Sequence, residues 1–213
     1  MKVSILDYSV GNILSVRRAF EAVGADVQQI TDPADVHKSD RLVVPGVGAF
    51  GSCMQALNDH RMLDPLKEYI RTERPMLGIC VGMQMLLESS SEFGEQAGLG
   101  VFPGRVDRIP AAGVDNRKHK VPLIGWTPLL PANNDPDRWK NTILSDLEPG
   151  EHAYFVHSYA AYPTNPEDIL ASTEYGGHPI AAVIGGNHIY GCQFHPEKSG
   201  PTGLKVLSGF MSI

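Results

Sequence analysis

The chain has 213 residues, with 18 Lys or Arg against 24 Asp or Glu, for a net charge of −6 at neutral pH. Hydrophobic residues make up 42% and charged residues 20%, a balance that excludes a disordered chain and suits one domain spanning residues 1–213. The acidic balance argues against a nucleic-acid partner, and no apolar run approaches the roughly 20 residues of a membrane span. Three cysteines are too few for a disulfide framework, so the expectation is a cytoplasmic protein.

Residues 3–6 read as a short buried strand. Asp7 to Asn12 breaks it, and Ile13, Val16, Phe20 and Val23 follow at helical spacing, closed by Gly24. Strands are predicted over 27–30, 41–44 and 76–79, and helices over 52–58 and 65–72. Another helix is predicted from about Val81, carrying Met85, Leu86 and Leu87. Strands alternating with helices predict an open, mostly parallel α/β sheet flanked by helices. Beyond residue 99 the character changes. Short runs at 104–106, 121–126, 152–159, 169–174, 180–184 and 188–194 alternate with Gly and Pro, and predict additional antiparallel strands in the C-terminal half. A closing helix is predicted over 201–211, while 111–120 and 132–140 read as exposed loops.

Three segments carry candidate chemistry. In Gly78-Ile79-Cys80-Val81-Gly82 a buried strand runs into a Cys and a helix starts at once, with glycines two residues to either side. That is the pattern of a nucleophile elbow with a thiol in the serine's place, and the helix start behind it favours thiolate and an oxyanion. A buried packing cysteine has the same local look, since free Cys is commonly inert. In Gln193-Phe194-His195-Pro196-Glu197, His195 and Glu197 lie two apart at a strand end, so the carboxylate can reach the imidazole. The run from Pro45 to Gly51 is a glycine loop at a strand's carboxyl end. It lacks the Lys-Ser/Thr of a phosphate loop, and its place beside the Cys80 elbow favours an oxyanion role. No C-x-x-C spacing supports a metal site, and no cofactor is expected.

The first two motifs together, in this order and far apart, resemble the class I (triad) glutamine amidotransferases. Within that family the chain is similar to the glutaminase subunits of imidazole glycerol phosphate synthase, through Asp7-Tyr8, Gly11-Asn12, Pro45 to Phe50, Gly104 to Val106, Lys120 to Pro122, Gly125-Trp126, Tyr154 to Tyr159 and His195 to Ser199. The resemblance covers essentially the whole chain and implies a flavodoxin-like α/β domain. It implies that Cys80 attacks the side-chain amide of the substrate glutamine, that His195 shuttles the proton, and that Glu197 orients His195. It places the oxyanion hole at Val81 and the loop of Val47 and Gly48. It gives Gly46, Gln84, Glu92, Ser158 and Tyr159 to glutamine binding. Asn12, Trp126, His157 and Lys198 fall at the interface with a (β/α)₈-barrel cyclase, with which the chain pairs as a heterodimer and to which ammonia passes. The family usually has Asn after Gly-Trp and often His after Lys-Val-Pro, where this chain has Thr127 and Leu123. Both departures fall on the docking side. Two other readings are therefore kept: a paralogue serving sugar amidation in surface polysaccharide, and a catalytically silent regulatory subunit.

Overall fold

A computed structural model describes all residues, 1–213. The chain runs β1 (Lys2–Leu6), α1 (Ile13–Ala22), β2 (Asp26–Ile30), β3 (Leu42–Gly46), α2 (Phe50–Asp59), α3 (Leu63–Ile70), β4 (Met76–Cys80) and α4 (Val81–Gln84). It continues with β5 (Leu87–Ser90), β6 (Gln96–Ala97), β7 (Phe102–Arg108), β8 (Leu123–Pro128), β9 (Leu130–Pro131), β10 (His152–His157) and β11 (Tyr159–Pro163). The last elements are β12 (Ile169–Tyr175), β13 (His178–Gly186), β14 (Ile189–Cys192) and α5 (Gly200–Ser212).

The main sheet has eight strands in the order β2-β1-β3-β4-β14-β13-β12-β9. Strands β2, β1, β3, β4 and β14 are parallel; β13, β12 and β9 continue the sheet antiparallel. The central strands β3 and β4 are buried along their whole length, which is why residues 42–46 and 76–80 are apolar without alternation. Right-handed crossovers put α1 on one face, since β1 to β2 steps one way, and α2 and α3 on the other, since β3 to β4 steps back. On the α1 face α5 closes the fold, with the Phe20 and Phe210 rings edge to face at 6.1 Å. This is the mixed α/β sheet with C-terminal antiparallel strands that the sequence predicts.

Four local expectations change. The helix after Cys80 ends at Gln84, and Leu87 to Ser90 instead form β5, paired with β7. Residues 152–159 are two strands, not one: Ser158 separates β10, paired with β8, from β11, paired with β7. Residues 132–140 are not a free loop. Trp139 is 3% exposed and its indole N–H donates to the Leu170 carbonyl at 2.9 Å, which pins the segment to β12. In 111–120, His119 packs on the Tyr175 ring at 4.5 Å, although most of the stretch is exposed.

Candidate active site

Cys80 ends β4 with φ 55° and ψ −111°, a backbone setting that a side-chain-bearing residue rarely adopts. Such a conformation costs about 1–3 kcal/mol and persists only where its surroundings force it. The forcing elements are glycines. A Cβ on Gly78 would meet the Gly82 carbonyl oxygen at 2.5 Å, and one on Gly82 would meet the Val44 carbonyl oxygen at 2.0 Å. Their absence of side chains lets the first turn of α4 sit directly on β3 and β4. The thiol is thereby lifted to the carboxyl edge of the sheet, where open α/β sheets bind ligands.

Strand β3 delivers the neighbouring loop. Tyr8 donates its hydroxyl to the Pro45 carbonyl at 2.5 Å, and the Cys53 thiol donates to the Val47 carbonyl at 3.4 Å. Glu92 Oε2 accepts the Phe50 N–H at 2.7 Å, satisfying the start of α2. Between these anchors Val47 and Gly48 are exposed, and Gly48 has φ +89° with open space where a Cβ would stand.

The candidate base comes from the far side of Cys80. Strand β14 lies beside β4 with Cys192 opposite Ile79, so the residues that follow it reach the same edge. His195 Nδ1 and Glu197 Oε1 are 2.9 Å apart, with side chains only 7% and 2% exposed. The arm is held by its main chain: the His195 N–H donates to the Tyr154 carbonyl, and the Ser199 hydroxyl donates to the His195 carbonyl at 2.7 Å. Ser199 also accepts the Tyr154 N–H at 3.0 Å, a supporting role that nothing in its sequence setting signals.

Burial alone would lower the His195 pKa. Hydrogen bonding to Cys80 and Glu197, together with their charges, more than reverses this and raises it from 6.5 to about 9. The hydrogen bond that geometry closes is the one to Glu197, at 2.9 Å. A histidine raised in this way stabilises the fold fully below pH 6.5 and loses that contribution as pH rises through about 9. The stability gap between the wild-type chain and Glu197→Gln, read by urea unfolding, should therefore narrow between those pH values. A gap that widens over the window contradicts a protonated His195.

A cleft of about 390 Å³ brings the pieces together. Val47, Gly48, Cys80, Val81, Gln84, Glu92, Ser158, Tyr159 and His195 line it, as do His157 and Lys198. Gly46 lies beneath, against Val81 and Gly82, and Glu197 sits behind His195. Asn12 and Trp126 stand outside. Asn12 is exposed and its side chain accepts the Ser15 N–H at 3.3 Å, capping α1; Trp126 is 53% exposed beside the Tyr154 ring. His157, which the resemblance places near a subunit interface, lines the cleft at 7% exposure. Burial pushes its pKa down to about 4, and its Nδ1 donates to the Tyr159 carbonyl at 2.8 Å, so the ring is neutral at pH 7. Pro122 and Val156 also line the cleft, and Gln193 Nε2 donates to Cys80 Sγ at 3.8 Å. None of these three carries a role in the sequence reading. The other two cysteines are fully buried thiols, both pushed up by burial, Cys53 to about 11. No group of three or more His, Cys, Asp and Glu side chains is arranged to hold a metal ion.

A thiol on a strained elbow, an imidazole paired with a carboxylate and an adjacent glycine loop form the constellation of covalent acyl transfer. The family model "Glutamine amidotransferase class-I" matches residues 4–212. The chain belongs to the class-I glutamine amidotransferases. Among relatives of this amidotransferase, "Imidazole glycerol phosphate synthase subunit HisH 1" of Legionella pneumophila (strain Lens) is 48% identical, over 99% of both chains. The HisH subunit of Salinibacter ruber is 40% identical over 99% of this chain and 94% of its own length. "Imidazole glycerol phosphate synthase hisHF, chloroplastic" of Arabidopsis thaliana is 42% identical; 98% of this chain matches 34% of that protein. Solved structures share the amidotransferase fold at low identity, among them PurLQS from Thermotoga maritima, with TM-score 0.73 and 15% identity over 99% of this chain and 97% of that one. The protein is thus an enzyme of the glutamine amidotransferase type. No helix is long and apolar enough to cross a membrane.

Proposed function

We propose that this chain is the glutaminase subunit of an imidazole glycerol phosphate synthase, releasing ammonia from glutamine for a (β/α)₈-barrel cyclase partner in histidine biosynthesis. The observation that carries the chemistry is Cys80 at positive φ on the cleft, beside the 2.9 Å His195–Glu197 pair. The Cys80 sulfur attacks the amide carbon of the glutamine side chain, and the carbonyl π pair moves to oxygen. The oxyanion is received by the Val81 N–H and an N–H of the Val47–Gly48 loop. His195 holds the thiol proton and gives it to the departing nitrogen, which leaves as ammonia. Water, deprotonated by His195, then hydrolyses the thioester to glutamate and restores the thiol. Glu92 and the Ser158-Tyr159 segment line the cleft where the α-amino and α-carboxylate ends fit, and Gln84 Oε1, which makes no internal hydrogen bond, is available to the substrate.

The rim supports a docked partner. Ile124 and Trp126 are 61% and 53% exposed on β8 and pair with Val156 and Tyr154 of β10; Val156 lines the cleft, and Val47 is 42% exposed at its mouth. Asn12, Trp126, His157 and Lys198 are the contacts proposed for this face, His157 and Lys198 from the cleft lining. The relative named hisHF, of which this chain matches only 34%, supports a partner whose chain continues the same assembly. A free glutaminase wastes glutamine, and the loop is built to be switched. One thiol hydrogen bond, at 3.4 Å, holds the Val47 carbonyl, and Gly48 tolerates rotation of the adjoining peptide. Glutamate release by the isolated chain is therefore expected to be slow. Adding the barrel cyclase with its ribonucleotide should raise it about 100-fold or more, the worth of one oxyanion donor. An unchanged rate in the reconstituted complex removes the synthase assignment.

A further inference from the structure

Gln193 is fully buried and uncharged, one residue beyond β14. Because Cys192 stands opposite Ile79 in the parallel ladder, Gln193 and Cys80 follow side by side at the carboxyl edge. Gln193 Nε2 donates to Cys80 Sγ at 3.8 Å, while its Oε1 accepts from Gln84 Nε2 at 3.0 Å. Gln84 Nε2 donates its other proton to the Tyr159 main-chain carbonyl at 2.9 Å. A carbonyl can only accept, so Tyr159 fixes which end of the Gln84 amide is nitrogen. Both Gln84 protons are then committed. The Gln193 oxygen must face Gln84, and its NH₂ must face the sulfur.

We propose that Gln193 is a further catalytic residue: its amide N–H stabilises the Cys80 thiolate, aimed by a relay from the Tyr159 carbonyl through Gln84. A hydrogen bond to an ionised acceptor is shorter and stronger than one to a neutral group, so the 3.8 Å contact tightens when the thiol ionises. The donor thus favours thiolate over thiol and lowers the pH at which the nucleophile forms. It also assists the thiolate when it departs from the tetrahedral adducts. The inference rests on Cys80 being the nucleophile of the glutaminase reading, and not on where ammonia goes.

The test is the pH dependence of Cys80 alkylation by iodoacetamide in the full chain, with the labelled residue located by mass spectrometry. Cys53 and Cys192 are fully buried, so the label reports Cys80. Gln193→Met removes the donor at similar volume and should raise the alkylation midpoint by about one pH unit. In the same variant kcat should fall about tenfold, with KM little changed. Gln84→Met cuts the relay at its other end and should move the midpoint the same way, and the double variant should shift it no further than Gln193→Met alone. A glutamine that merely packs lowers the melting temperature and leaves the midpoint in place. An unmoved or lowered midpoint in the folded variants overturns the proposal, and Gln84→Met decides if Gln193→Met does not fold. Alkylation needs no glutamine, so a chain that fails to hydrolyse glutamine still gives a midpoint, and the two failures are told apart.

Discussion

Cys80→Ala is expected to reduce glutamine hydrolysis by at least about 10⁴-fold, to the background left by binding and oxyanion contacts without a nucleophile. The loss should be confined to chemistry. The substitution removes one sulfur from a cleft wall and leaves the elbow backbone in the same strained setting, because alanine keeps the Cβ that cysteine has. Cys80 Sγ accepts one long hydrogen bond, from Gln193, so little packing or hydrogen bonding is forfeited. The melting temperature should therefore stay within about 4 °C of wild type, the shift for roughly 1 kcal/mol in a chain of this size. Glutamate release and a thermal melt on the same preparation check both halves. Substantial turnover without the thiol would remove Cys80 from the mechanism.

Gly82→Ala is expected to cost the most stability for the fewest added atoms. The new Cβ would stand 2.0 Å from the Val44 carbonyl oxygen, and Val44 lies in β3, fully buried and paired to β1 and β4 on either side. Neither backbone can give way without unpairing central strands, so the cost is about 3 kcal/mol or more. That corresponds to a fall of roughly 6–12 °C in melting temperature for a chain of this length. Activity should fall further than stability, because moving α4 displaces the Val81 N–H and turns Cys80. Gly186→Ala is the control. Its added Cβ meets only Phe102 Cε1, at 3.9 Å, and it should melt near wild type. Equal melting temperatures for the two variants would mean that the elbow is not held by close backbone contact.

The two motifs around Cys80 and His195 could be read before any fold was known because their information is local. A glycine two residues to either side of a cysteine, or a proline between a histidine and a glutamate, constrains backbone that those residues themselves form. The same holds for the parallel strands. Fully buried strands require unbroken apolar runs, and residues 42–46 and 76–80 supply them. The helix predicted beyond Gln84 failed for a nonlocal reason. Leu86 and Leu87 suit a helix, but the Leu86 carbonyl accepts N–H groups of Val101 and Phe102 and β5 pairs with β7, so sheet partners outbid the local preference. The burial of His157 is nonlocal in a similar way: it lines the cleft because it ends β10, which pairs with β8.

Sequence alone was enough for the fold class and for the candidate triad of Cys80, His195 and Glu197, since turn chemistry and periodicity mark these segments within a few consecutive residues and the family resemblance names the roles. Tertiary structure decided which groups meet. It brought β14 beside β4, so that residues more than a hundred positions apart share one sulfur. It turned the Gln84 amide inward, made His157 a neutral wall of the cleft, and left Val47 and Trp126 exposed at its rim. The physical reason is that a hydrogen-bond chain such as Tyr159–Gln84–Gln193–Cys80 has its direction set by a carbonyl fixed in another strand. No spacing within a single segment encodes that direction.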